Sequence, residues 1–158
     1  MKNFFTIIGG MGTEATETFI HILNDRTQAT KDQDYLNYIL VYHSTVPDRT
    51  DYILDHSKPN PLIPLAEDVK QQSALHPDFV AIPCNTAHYF YDELQKLTDV
   101  PILHMPKETV AAIKDYAPNA KRVGLIATEG TLHDQIYDHE IINAGYELVK
   151  PTDKIADQ

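Results

Sequence analysis

Short apolar runs alternate along this chain with longer stretches in which apolar residues recur every three or four positions. The runs predict strands at Phe4–Ile8, Tyr38–Tyr42, Phe79–Ile82, Pro101–His104, Val123–Ala127 and Tyr146–Val149. The periodic stretches predict helices at Glu14–Thr27, Leu65–Leu75, Ala87–Leu97, Lys107–Tyr116 and Leu132–Ala144, the last stopped by Gly145. Strands that are apolar on both faces and separated by helices form parallel βαβ units. The expected fold class is therefore α/β with a parallel sheet, and ligands are expected at the C-terminal ends of its strands. The segment His43–Pro64 is rich in Pro and Asp and reads as a long connection, of the kind that often carries function.

Two stretches echo each other. Phe5-Thr6-Ile7-Ile8-Gly9-Gly10-Met11-Gly12-Thr13-Glu14 and Arg122-Val123-Gly124-Leu125-Ile126-Ala127-Thr128-Glu129-Gly130-Thr131 are both an apolar strand, a turn of small residues and a helix start. The echo divides the chain into an N-terminal α/β lobe, 1–101, and a second α/β lobe, 102–158. The offset from Gly10 to Cys84, carried forward from Thr128, passes the last residue, Gln158. The second lobe is thus expected to be incomplete, a C-terminally truncated partner of the first.

Composition narrows the function. A chain of 158 residues with 42% hydrophobic content fits one ordinary globular unit. Its apolar runs are strand-length, so no membrane span is expected, and its first residues read as a strand rather than a signal peptide. The net charge of −10 argues against nucleic acid as a partner. One cysteine forms no internal disulfide, which suits a reducing cytoplasm. An anionic ligand must then be held by local groups against the overall field.

That cysteine, Cys84, lies in Ile82-Pro83-Cys84-Asn85-Thr86, where a buried strand hands over to a helix. A helix start favours anions, the setting of a reactive thiol, and Asn85 and Thr86 suit either a cap or a ligand. The competing reading is a small buried hydrophobe. Gly9-Gly10-Met11-Gly12 is most simply a tight turn, yet Gly10, Gly12 and Ala15 also satisfy G-x-G-x-x-A. The dinucleotide reading lacks its acidic residue, because the second strand ends in Val41-Tyr42-His43. A backbone nest for a small anion is the remaining option. Arg49 either pairs on the surface with Asp48 or Asp51, or grips a carboxylate with its fork. Thr128 reads as a helix cap that also points into a strand-end cleft. The eight histidines form no metal-binding spacing, and His88 lies one helical turn past Cys84.

Three separated motifs then agree: Gly9-Gly10-Met11-Gly12-Thr13-Glu14-Ala15-Thr16, Pro83-Cys84-Asn85-Thr86-Ala87-His88 and Ala127-Thr128-Glu129-Gly130-Thr131, with Val46-Pro47-Asp48-Arg49-Thr50 as a fourth. In order and spacing they resemble the aspartate/glutamate racemase family, nearest its aspartate racemases, over essentially the whole chain. Thr13 departs from the proline that this family often carries there. The resemblance implies a racemase without pyridoxal phosphate, metal or other cofactor, using two cysteines on opposite faces of the substrate Cα. It assigns proton transfer to Cys84, the α-carboxylate and amino group to Asn85, Thr86 and Thr128, the side-chain carboxylate to Arg49, and the pocket floor to Met11. It implies a homodimer or other self-association, with a small acidic amino acid, aspartate or glutamate, as the binding partner. The family's second cysteine, in a Gly-Cys-Thr-Glu motif, and its substrate-binding lysine are absent from this sequence, so weak activity or none is expected. A non-catalytic acidic-amino-acid-binding or assembly module is the alternative, and a dinucleotide-binding enzyme a third reading.

Overall fold

The computed structural model describes residues 1–151. Strand β1 (Phe5–Gly9) is buried along its whole length and lies at the centre of a three-stranded parallel sheet. It is flanked by β2 (Tyr38–Tyr42) and by the two-residue β3 (Val80–Ala81), with Thr6 opposite Ile39 and Val80. Burial on both faces is what a run of Phe, Thr and Ile without charge demands of a central parallel strand. Helix α1 (Thr13–Arg26) makes the first crossover. A second connection runs through α2 (Arg49–Leu54) and α3 (Leu62–Ser73). Beyond β3 come a 3-10 turn (Thr86–Phe90) and the short α4 (Tyr91–Gln95). Helix α5 (Met105–Tyr116) leads to a second, two-stranded parallel sheet of β4 (Arg122–Gly124) and β5 (Glu147–Val149), joined through α6 (Glu129–His133) and α7 (Asp138–Asn143).

Each sheet carries its own core. Ile8, Met11, Leu65, Val69, Ile82, Phe90 and Leu94 pack around the first. Val110, Leu125, Tyr137 and Ile141 pack around the second. Full burial of an Ile or Leu side chain contributes about 1.5–3 kcal/mol, so the residues of the first cluster dominate the stability of the region that carries Cys84. Among the described residues no helix is long and apolar enough to cross a membrane.

Beyond shifts of a few residues at element ends, four differences from the sequence reading have a local reason. The connection His43–Pro64 contains α2, because the Asp48 carboxylate accepts the Asp51 N–H at 2.9 Å and caps it. The strand expected at Pro101–His104 reduces to one bridge between Ile102 and Val80. Pro101 has no N–H to give, and the Ile102 N–H is taken by the Gln95 side chain at 2.8 Å. The helix expected over Leu132–Ala144 is two helices, broken at Gln135, whose φ is 57°. The helix expected from Ala87 begins as the tighter 3-10 turn instead.

The glycine turn after β1 is shaped by close packing. A Cβ on Gly9 would meet the Thr16 side chain at 2.4 Å, and one on Gly10 the His43 backbone at 2.7 Å. Gly10 also holds φ at +90°, a conformation that glycine adopts at no steric cost. Its N–H donates to Thr16 Oγ1 at 2.9 Å, and that hydroxyl donates to the Gly12 carbonyl. His43 is anchored in turn by Asp68 of α3, whose carboxylate lies 2.7 Å from Nδ1. Gly10→Ala combines positive φ with a backbone clash, so it should destabilise the fold by about 2 kcal/mol or more. Urea denaturation followed by circular dichroism checks this.

Candidate functional site

The C-terminal ends of β1, β3 and β4 open onto a cavity of about 380 Å³. Its wall contains Met11 from the glycine turn, Arg49 from the start of α2, Cys84, Asn85 and Thr86 from the segment after β3, and Thr128 and Thr131 from the start of α6. All six residues singled out from the sequence thus share one cavity, although they are separated by up to 117 positions in the chain. Gly12, Ala15, Asp48, Thr50, Pro83 and Ala127 complete the lining.

Arg49 is half-buried, and among the described residues it makes no ion pair with Asp48 or Asp51. Its Nη1 donates to the carbonyls of Val46 and Pro47, at 3.3 and 3.0 Å. Its Nε is buried without a protein partner. The guanidinium is thus pinned on one edge and keeps one buried donor without a protein partner.

Across the cavity stand three threonine hydroxyls. Thr86 Oγ1 lies 3.1 Å from that of Thr128 and 3.0 Å from that of Thr131, and the latter two are 3.0 Å apart. Thr131 is fully buried. Thr128 and Asn85 hold the capping positions of their helical turns, but neither side chain caps. Thr128 serves the hydroxyl ring, and Asn85 accepts from the Tyr137 phenol through Oδ1. Neither Thr131's share in the ring nor Tyr137 was legible as part of a site. Thr131 sits one helical turn past Thr128, which is a usable signal; Tyr137 gives none. The ring spans the two sheets where helices α2 and α6 also meet. There Gly130 brings the backbones so close that a Cβ would lie 3.0 Å from the Thr50 Cα.

Cys84 is partly exposed and unbridged. Its N–H closes a tight turn onto the Ile82 carbonyl at 2.8 Å, which spends the backbone donor nearest the thiol. His88 reaches the Cys84 carbonyl rather than its sulfur: Nδ1 donates at 2.8 Å, and Nε2 accepts the Met105 N–H at 3.1 Å. Both ring nitrogens are thereby assigned to a neutral imidazole that ties the Cys84 turn to the start of α5. The Gly10 N–H, held by Thr16, is likewise spent and takes no part in an anion nest. Among the described residues no cluster of three or more His, Cys, Asp or Glu is arranged to hold a metal ion.

Fold and site together define a parallel α/β scaffold with a cysteine, an arginine and a ring of threonines at the strand ends. The chain belongs to the Asp/Glu/Hydantoin racemase family, whose pattern matches residues 8–158. It is 33% identical over 147 residues to the broad specificity amino-acid racemase RacX of Bacillus subtilis (strain 168), a match spanning 90% of this chain and 62% of that protein. It superposes on Picrophilus torridus aspartate racemase with a TM-score of 0.87 and 28% identity, covering 98% of this chain and 65% of that one. The fold is shared with an aspartate racemase homologue from Pyrococcus horikoshii OT3, at a TM-score of 0.74 and 20% identity over 99% of this chain and 67% of that one. The chain spans less than two thirds of the length of the first two relatives.

Burial lowers the pKa of His88 below its ordinary value of 6.5; bonds to the Cys84 and Leu103 carbonyls pull the other way. A histidine buried in its neutral form stabilises the fold fully above its unfolded value. The contribution is lost as the pH falls below about 6.5 toward the lower folded value. The stability difference between wild type and His88→Asn should therefore shrink as the pH drops through that window. Urea titrations at a series of pH values measure it.

Proposed function

We propose that this chain is an amino-acid racemase polypeptide that binds aspartate or glutamate and uses the Cys84 thiolate to move the α-proton. The observation that carries this reading is the single cavity shared by Cys84, Arg49 and the Asn85–Thr86–Thr128 cluster. An acidic amino acid has two carboxylates, one ammonium and one weakly acidic C–H. Arg49 takes the side-chain carboxylate in a bidentate contact. Asn85, Thr86 and Thr128 hold the α-carboxylate and amino group, and Met11 forms the floor. Removing the α-proton pushes negative charge onto the α-carboxylate, so donors already aimed there lower the barrier. A thiol can serve as the base because thiols ordinarily titrate near about 8.5, close enough to neutral pH for a usable fraction of thiolate.

Racemisation needs an acid on the opposite face of Cα, since one base tends to return the proton to the side it came from. Cys84 is the only cysteine in the 158 residues. In this reading, Cys84 serves one face of the substrate, and the division into an N-terminal lobe (1–101) and a second lobe (102–158) places the opposite face against the second lobe. A cytoplasmic, self-associating protein is part of the same proposal. A second reading, a module that binds an acidic amino acid without turning it over, is supported by the same cavity with Arg49 and the threonines as its binding groups.

Incubating L- and D-aspartate separately with the protein in D₂O, and following the α-position by NMR, tests the reading. Deuterium should enter one enantiomer much faster than the other, with little racemisation. Cys84→Ser should slow that exchange about a hundredfold or more. Binding with no exchange at all favours the non-catalytic module, and rapid racemisation of both enantiomers would refute the one-face role of Cys84.

A further inference from the structure

Behind the cavity wall, Tyr137 bridges the two sheets. Its phenol belongs to the core of the second sheet and is 8% exposed, yet it reaches Asn85 in the segment that carries Cys84. The phenol donates to Asn85 Oδ1. Asn85 has one amide oxygen and one NH₂. With the oxygen turned back toward Tyr137, the NH₂ edge is the one left to face the cavity. Asn85 therefore presents donors at the position next to Cys84.

We propose that Tyr137 is a positioning residue that fixes the Asn85 amide with its NH₂ edge in the cavity, so that Asn85 recognises the ligand's α-carboxylate and not its ammonium group. This rests on the acidic-amino-acid reading and sharpens it, because that reading leaves Asn85 free to serve either group. A carboxylate is acceptor-only and matches two N–H donors, whereas an ammonium group is donor-only and would face them unfavourably. Burial raises the Tyr137 pKa, with a hydrogen bond from the Thr109 hydroxyl acting the other way, so the phenol keeps its proton at neutral pH. Tyr137 belongs to the second core and Asn85 to the cavity wall, so this one bond carries the orientation from the one to the other.

The bond crosses between sheets, so it does more than hold a loop. Asn85 follows Cys84 directly in the chain and lines the same cavity, so rotating its amide by a half turn would turn an acceptor into that cavity. An acceptor there would repel both the α-carboxylate and a neighbouring thiolate.

The test uses the full 158-residue chain, Tyr137→Phe, and two probes, L-aspartate and its α-carboxamide, L-isoasparagine. Tyr137→Phe keeps the ring in the core and removes only the hydroxyl, and thermal unfolding checks that it folds. Wild type should bind aspartate at least tenfold more tightly than the α-amide in NMR titrations. In Tyr137→Phe the Asn85 amide is free to turn, and that preference should fall to about threefold or less. A purely structural role for Tyr137 would weaken both probes equally and leave the ratio unchanged, which overturns the proposal. If Tyr137→Phe does not fold, Asn85→Asp keeps the acceptor for Tyr137 and replaces the donor edge. It should lose aspartate binding by more than tenfold while retaining the α-amide, and equal losses overturn the proposal. The ligand-free spectra separate this inference from the functional reading. If wild type binds neither probe but its Asn85 side-chain amide signals shift and broaden in Tyr137→Phe, the acidic-amino-acid reading fails and the positioning stands. Identical Asn85 amide signals in both proteins overturn the positioning itself.

Discussion

Three hydroxyls, those of Thr86, Thr128 and Thr131, lie within 3.1 Å of one another, and the rest of the site depends on that closed ring. Each hydroxyl has one proton to give, so a ring of three satisfies every donor without water. Thr86 belongs to the segment after β3, and the other two to the start of α6. The ring therefore joins the ends of two separate sheets. Beside it, the absence of a side chain at Gly130 lets α6 approach α2 and so brings Arg49 to the same wall. A bulkier residue at 130 or an apolar one at 131 would disturb both contacts together.

A ligand changes the arithmetic of that ring. If Thr128 donates to an incoming carboxylate, only two protons remain for three edges. The ring must then open into a chain in which one hydroxyl passes its proton to the next. A polar cluster of this kind is rigid when satisfied and responsive when one partner is added. The same logic applies to Arg49, whose buried Nε has no partner in the protein. Arg49 thus keeps an unpaired donor in a residue that lines the same cavity as Cys84.

The sequence foretold the parts of the fold that local chemistry dictates. Strand β2 occupies the residues its apolar run predicted, and β1 and α1 lie within one residue of expectation, because run length and period decide such elements. The differences fall where a single hydrogen bond or backbone turn overrules the pattern. Ile102 is apolar and strand-like, but Gln95 takes its N–H. Gln135 carries no signal for the left-handed turn that splits α6 from α7. Helix α2 lies among prolines, and its signal in the sequence is the capping pattern Asp48-x-x-Asp51. The cavity lining was legible because its residues sit in short motifs after strands. Tyr137 was not, because its role exists only when two sheets meet.

The account's central claim is that Cys84 and Arg49 face the same bound acidic amino acid. Because Cys84 is the only cysteine, its alkylation by iodoacetamide can be followed by intact mass in the unmodified protein. Aspartate should slow that alkylation in a saturable manner, and the protection should disappear in Arg49→Gln while the unprotected rate stays close to wild type. An alkylation rate that is indifferent to saturating L- and D-aspartate and glutamate would contradict the account.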